Sequence, residues 1–362
     1  MHLGIDKRTR IPYYRCGCTN NVREWLNVIP SLYIRSVIMK KITMLLAFAM
    51  LLVFCCTAMA ETVSVAIVYS DTVDDKGWCQ SMDTGIKNAI AKGYDIEYTP
   101  VESVAVPEAP NTLDQLAENY DIIIVHGAQF TSATTEIAAE YPDQVFAIGT
   151  SDQILGDNIF TYMPMSEEPG YINGIIAAMM TKANKVGIVG PTDGGDSARF
   201  IRGFVKALNE TNPDAEYMLS WTGSFSDTVG AGDIGKTFIE AGCDVLVGPS
   251  QQAVGALRNV DAAEGVIWIG QTTSQIVDFP NCVAAAADYD YSAVVIGIIE
   301  RMAESKTGGE NIPLNYNNGG FIYTFSENAE LLPEDVKAAA QAALDSVIAA
   351  PNTIDYANIE LK

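Results

Sequence analysis

The sequence predicts an α/β fold: two Rossmann-like lobes with parallel sheets flanked by helices, joined by a multi-crossing hinge. Two observations carry this. From residue 61 onward, apolar runs of about five residues alternate with segments of helical period, the pattern of parallel strands joined by crossover helices. The second half also repeats the first. Val65-Ala66-Ile67-Val68, Asp121-Ile122-Ile123-Ile124-Val125 and Phe146-Ala147-Ile148-Gly149 return as Val186-Gly187-Ile188-Val189, Asp244-Val245-Leu246-Val247 and Ile267-Trp268-Ile269-Gly270, at a spacing of 121 to 123 residues. Lobes of this kind bind ligands at the carboxyl ends of their strands, so two facing each other make a clamp.

The elements follow in order. Lobe one starts with a strand over 63–69, then a polar loop and a helix over 77–92, for which Asp74 or Asp75 is a fitting N-cap. Strands follow over 95–100, 121–126, 145–149 and 158–163, with helices over 112–119 and 132–140. Lobe two has a helix over 169–182, a strand over 186–189, a Gly-rich turn and a helix over 197–211. Strands over 216–222, 244–248 and 266–270 alternate with helices over 230–241 and 253–263. A strand over 281–287, a strongly apolar helix over 291–305, a Gly/Asn-rich bend over 316–320, a strand over 321–325 and a helix over 333–349 are too little for a third lobe. They complete the two sheets by crossing back between them. The expected division is 61–163 plus 273–312 for lobe one and 164–272 plus 313–362 for lobe two.

Residues 39–60 read as a signal peptide. Met39-Lys40-Lys41 is basic, the apolar run that follows is too short to span a bilayer, and Ala58-Met59-Ala60 fits a cleavage site. A mature start at Glu61 and a periplasmic location are expected. Phe54 before Cys55 speaks against a lipid anchor. Residues 1–38 fit neither a signal nor a domain and read as an over-long gene start. The first 60 residues hold eight of the 22 Lys/Arg and two of the 45 Asp/Glu, so the remainder carries a net charge of −29. Such a surface disfavours nucleic acid, anionic lipid and strongly anionic substrates. Outside that leader only Cys79, Cys243 and Cys282 remain. Their spacing offers neither a zinc site nor a disulfide framework, and burial as small apolar residues is the expectation for Cys243 and Cys282.

The candidate site residues lie where strands end. Asp75 and Trp78 follow the first strand. An indole near the start of a helix beside the cleft is hard to bury whole, because its N–H needs a partner. Gln129 and Phe130 follow the third strand, and Ser250 and Gln251 hold the matching place in lobe two. Trp221, Phe225 and Asp227 follow the second strand of lobe two. Flat aromatic walls with a few amides and carboxylates suit a planar, uncharged, hydrogen-bonding ligand, and a nucleobase fits. His126, the one histidine beyond the leader, has no nucleophile signature beside it and reads as structural. The turn Gly190-Pro191-Thr192-Asp193-Gly194-Gly195-Asp196 lacks the ending of a phosphate loop and reads as a polar turn lining the cleft. No nucleophile–base pair, metal cluster or cofactor motif is visible, so a non-enzyme without metal or cofactor is expected.

The stretch Asp74-Asp75-Lys76-Gly77-Trp78-Cys79-Gln80 resembles the D-D-x-[SG]-[FW]-N-Q segment of the basic membrane protein family, substrate-binding proteins of ABC importers with the type I periplasmic binding protein fold. The likeness continues through Glu168-Pro169-Gly170-Tyr171-Ile172-Asn173-Gly174, Gly223-Ser224-Phe225-Ser226-Asp227 and Gly242-Cys243-Asp244-Val245-Leu246. The resemblance implies a purine base or nucleoside held between the lobes, with Trp78 stacking on the base, Asp75 hydrogen-bonding it, and Phe225 or Trp221 on the other side. The family's G-x-D-x-D-Q segment falls at Gly270-Gln271-Thr272-Thr273-Ser274-Gln275. Gln271 and Thr272 become site candidates there, and the loss of both aspartates favours a free base over a nucleoside. The implied partner is an ABC permease, and a monomer is expected. A ligand-sensing module for a chemoreceptor or kinase, and a receptor for another uncharged solute such as a sugar, are the alternatives.

Overall fold

The computed structural model describes residues 62–75 and 77–362; the expected gene-start and signal segments, 1–38 and 39–60, lie outside the described residues. β1 (Val63–Tyr69), β2 (Ile96–Val101), β3 (Ile122–His126), β4 (Val145–Gly149) and β5 (Ile159–Pro164) join β11 (Asn311–Leu314) in a six-stranded sheet of order β11-β5-β4-β3-β1-β2. Every pairing in it is parallel. A parallel sheet covered on both faces calls for continuous apolar strands, and Ile122–His126 is buried at each of its positions. The second sheet comprises β6 (Lys185–Gly190), β7 (Glu216–Trp221), β8 (Val245–Val247), β9 (Ile267–Gly270), β10 (Val283–Tyr289) and β12 (Phe321–Phe325), in the order β12-β10-β9-β8-β6-β7. The repeat in the sequence is thus a repeat of topology. Only β12 breaks it, pairing antiparallel with β10.

Helices α1 (Trp78–Ala91), α2 (Ala109–Leu116) and α3 (Thr131–Glu140) flank the first sheet. The second has α4 (Glu167–Met180), α5 (Gly195–Thr211), α6 (Thr228–Glu240), α7 (Val254–Asp261) and the short α8 (Thr273–Asp278); α9 (Ser292–Ala303) and α10 (Glu334–Ala349) follow. The α4–α5 contact is unusually close. A Cβ on Gly170 or Gly174 would stand 2.1 Å from the Phe200 carbonyl oxygen or 2.3 Å from that of Phe204. Any side chain there forces the helices apart. Phe200, Ile201, Phe204, Val205 and Leu208 of α5 fill the lobe-two core at helical spacing.

The chain crosses between sheets three times: from β5 to α4, from β10 to α9, and from β11 to β12. One expected boundary is corrected. The division at 272/273 does not hold, because β10 pairs with β9 and α8 packs on both. The crossing comes later, after Tyr289, and only then does α9 pack on α1 of lobe one. The expected strand over 281–287 in fact runs on to Tyr289, which carries its carboxyl end to the hinge. The sequence reading also missed β11 and α8. Both are short, at four and six residues, and too brief to show a period. Cys79, Cys243 and Cys282 are free and buried, with Cys243 and Cys282 in one core cluster of lobe two.

Candidate functional site

Lobe one presents Trp78, the first residue of α1, at the seam between the sheets. Asp75 lies two residues before the Gly77 N-cap of that helix, and its carboxylate reaches forward to accept backbone N–H bonds from Gly77 (2.8 Å), Cys79 (3.0 Å) and Gln80 (3.1 Å). Asp75 therefore positions Trp78, and its acceptors are largely taken by the backbone. The indole lies flat on His126, with centroids 4.3 Å apart and planes 11° off parallel. Its Nε1 donates to the His126 carbonyl (3.3 Å), while His126 Nε2 lies 3.1 Å from the Trp78 carbonyl. A carbonyl only accepts, so Nε2 carries the proton, and Nδ1 accepts from the Tyr162 hydroxyl at 2.8 Å. Burial pushes the imidazole down to about 3, so it is neutral and fully engaged. Burial likewise pushes the thiols up, to about 12 for Cys79, 11 for Cys243 and 12 for Cys282. None of these four groups is poised as a base or nucleophile at neutral pH.

The remaining edges of Trp78 face the hinge. Tyr291 meets it edge-on at 5.6 Å and Tyr289 at 6.2 Å, and these tyrosines stack on each other at 5.6 Å. Tyr289 packs against the cores of both lobes. Its hydroxyl donates to Asp196 Oδ2 at 2.8 Å. Asp196 ends the Gly-rich turn that the sequence places beside the cleft, and desolvation raises its carboxyl above the usual range. Tyr162, Asp196, Tyr289 and Tyr291 were not singled out from the sequence. A signal existed: Asp288-Tyr289-Asp290-Tyr291 is a polar, aromatic break between an alanine-rich strand and an apolar helix.

The other candidates disperse. Gln251 comes to the seam from lobe two and lies against Gly77 of lobe one, where a Cβ would stand 2.9 Å from Gln251 Cδ. Gln271 is half-buried nearby, its Nε2 donating to the Pro249 carbonyl and its backbone N–H to Gln275 Oε1. Ser250 is buried and donates to Gln252 Oε1 at 2.5 Å. Gln129 is exposed, and Thr272 is half-buried with its hydroxyl on Ser274. Phe130 is a correction: it is fully buried in the lobe-one core with Val125 and Ile137 and lines no cleft. A purely apolar ring on a tight turn over a sheet gains most by packing beneath it. Trp221 is half-buried, its ring lying over Gly190 and against the lobe-two core. Phe225 is 43% exposed. Asp227 caps α6, accepting from the Gly230 N–H at 2.8 Å. The structure thus gathers Trp78, Gln251 and Gln271 with the two tyrosines and Asp196, and leaves Phe130, Phe225 and Asp227 in other bonds or environments.

A family model described as ABC transporter substrate-binding protein PnrA-like matches residues 62–349. The chain is similar to a purine-binding protein of Brucella abortus, at 24% identity over 284 residues, 78% of this chain and 79% of the relative. It is similar to the ABC transporter nucleoside-binding protein BmpA of Lactococcus lactis, at 23% identity over 305 residues, 77% of this chain and 86% of the relative. Its fold is that of an ABC transporter solute-binding protein from Conexibacter woesei, with a TM-score of 0.68 at 21% identity, covering 81% of this chain and 99% of that one.

Proposed function

The chain belongs to the PnrA-like family of ABC transporter substrate-binding proteins, and on that premise we propose that it captures a purine base or nucleoside between its lobes and delivers it to an ABC permease from the periplasm. The observation that carries this reading is the setting of Trp78. A flat ring is fixed from behind by His126, edged by Tyr289 and Tyr291, and sits at a seam where Gln251 of the other lobe meets Gly77 beside it. Aromatic planes with amides at the rim recognise a base by stacking and edge hydrogen bonds. The chemistry required is non-covalent: three chain crossings make a hinge, and a ligand that touches both lobes favours the closed arrangement.

Calorimetric titration of the purified protein with adenine, guanine, hypoxanthine and their nucleosides tests this. Saturable one-to-one binding with the ligand recovered unchanged is expected, together with a raised thermal midpoint. Binding of a sugar in preference to every purine would overturn the ligand assignment.

A further inference from the structure

We infer that Asp196 and Tyr289 are specificity-determining residues that read a hydrogen-bond donor on the bound ligand. The inference rests on the purine reading above and deepens it. Asp196 is the second residue of α5, at the carboxyl end of β6, and Tyr289 is the last residue of β10, beside the second crossing. Their 2.8 Å bond joins the floor of lobe two to the hinge, one tyrosine ring from Trp78. Both residues are half-buried, their polar ends enclosed by protein.

The chemistry there is one-sided. The tyrosine hydroxyl donates to one carboxylate oxygen and the backbone N–H groups of Asp196 and Ser197 also reach the carboxylate; with about four lone-pair sites it keeps acceptor capacity for one ligand N–H or O–H. Two buried hydroxyls beside the pair have no partner among protein groups: Ser197 next to Asp196, and Tyr291 stacked on Tyr289. Buried polar atoms of this kind call for a partner, and a guest bearing donors and acceptors on its rim supplies one. The nearby cation, Arg199, is committed to Glu167 through two bonds of 2.7 Å. Its charge is largely balanced by Glu167 and offsets little of the repulsion an anionic ligand would meet at Asp196. A neutral heterocycle that offers an N–H is favoured over one whose N–H groups are blocked.

The test is calorimetry on the full protein with adenine, guanine and hypoxanthine and with their singly N-methylated counterparts. Wild type is expected to reject at least one methylated isomer by about tenfold or more. Asp196→Asn is expected to weaken the parent base by about 10- to 100-fold, the range for a hydrogen bond to a charged group, and to narrow the gap to its methylated isomer. Asp196→Ser, which retains a helix-start side chain, should do the same if the first variant folds poorly. Tyr289→Phe should weaken binding less and keep part of the discrimination. Unchanged affinity in the Asp196 variants, or an equal loss for parent and methylated bases, overturns the inference and leaves the purine reading standing. A wild-type protein that binds none of the bases overturns both.

Discussion

Around Trp78, lobe one bonds to itself: indole to His126, His126 to Tyr162, and the Asp75 carboxylate to three backbone N–H groups. Across the seam the pattern is different. Among the described residues, the buried side-chain atoms without a protein partner are on Ser166, Asn173, Ser197, Gln252, Tyr291 and Tyr316. Five of the six belong to lobe two or to the first and third crossings, and Tyr291, just past the second crossing, packs in the lobe-one core beside Trp78. Two halves with the same strand order have therefore been put to different uses. In one the polar groups around the platform are bonded, and in the other several buried polar atoms are not. Duplicated topology sets where a site can form, and the side chains at the strand ends decide which copy does the recognising.

The largest expected effect concerns what holds lobe two in shape at the first crossing. Arg199 bonds twice to Glu167, and their side chains are only 12% and 2% exposed. Arg199→Ala leaves a buried carboxylate alone and should cost about 3–5 kcal/mol in denaturant unfolding. A loss below about 1 kcal/mol would show that lobe two lacks the rigid hinge end assumed for it.

Trp78 and Trp221 separate the halves next. Trp78→Ala should weaken purine affinity by about 1–3 kcal/mol, the worth of one base stack. Trp221→Ala removes a ring that packs on the lobe-two core. It should lower the thermal midpoint while leaving affinity close to wild type. Equal affinity losses for both would restore a two-walled site and erase the asymmetry.

Acid and base act on the halves with opposite sign. His126 in lobe one is pushed by burial from 6.5 down to about 3. The unfolded chain then binds the extra proton between those values, and the stabilisation present above pH 6.5 is lost as pH falls. Glu168, buried at the first crossing, is pushed by desolvation from 4.5 up to about 7, against the N–H groups of Tyr316 and Asn352. Here the native state holds the extra proton. Its contribution is full below pH 4.5 and is lost as pH rises through 7. Between about 4.5 and 6.5 the two slopes oppose each other, each worth about 1.4 kcal/mol per pH unit at most. Glu168→Gln removes this titration at the cost of setting its NH2 against one of those two N–H groups, so its stability relative to wild type should rise as pH climbs from 4.5 to 8. Its midpoint should also climb more steeply than that of wild type from pH 5 to 6.5. A variant whose midpoint tracks wild type across that range would remove Glu168 from the account.

Much of the fold was legible because a parallel strand is a local signal. Ile122-Ile123-Ile124-Val125 has one plausible fate, and its recurrence in the second half doubled the information. The placement of β10 was less legible, since strand pairing depends on contacts that no local window reports. The site was harder still. Asp75 and Asp227 sit at strand ends with the composition of ligand contacts, yet both cap helices, and a capping carboxylate looks the same in sequence as a binding one. Phe130 and Trp78 were equally aromatic on paper. The indole N–H required a partner at the surface of the core, whereas the phenyl ring required nothing and went inside. Asp196 and Tyr289 were missed because they are 93 residues apart and only the hinge brings them together.

The paired caps sharpen the comparison at about 1 kcal/mol. Asp75→Ala releases three N–H groups and Asp227→Ala one, so both should destabilise within the usual range of about 0.5–2 kcal/mol, Asp75 by more. Only the Asp75 change should also weaken ligand affinity, since it loosens the start of the helix that carries Trp78. Equal affinity in both variants would detach the cap from the site.

The smallest effect is expected on the outside of lobe one. Lys87 pairs with Asp83 at 2.6 Å, a shorter contact than either Arg199 bond, but the lysine is 62% exposed. Distance alone would rank this pair above Arg199–Glu167. Solvation reverses the ranking: the ammonium stays in water on either side of the unfolding equilibrium, and Asp83 keeps the Tyr98 hydroxyl at 3.0 Å as a second partner. Lys87→Ala should therefore change stability by less than about 1 kcal/mol, and added salt should shrink the difference further. A loss approaching that of Arg199→Ala would mean that Asp83 depends on its lysine as a buried charge does, and that lobe one is less self-sufficient than its bonding around Trp78 indicates.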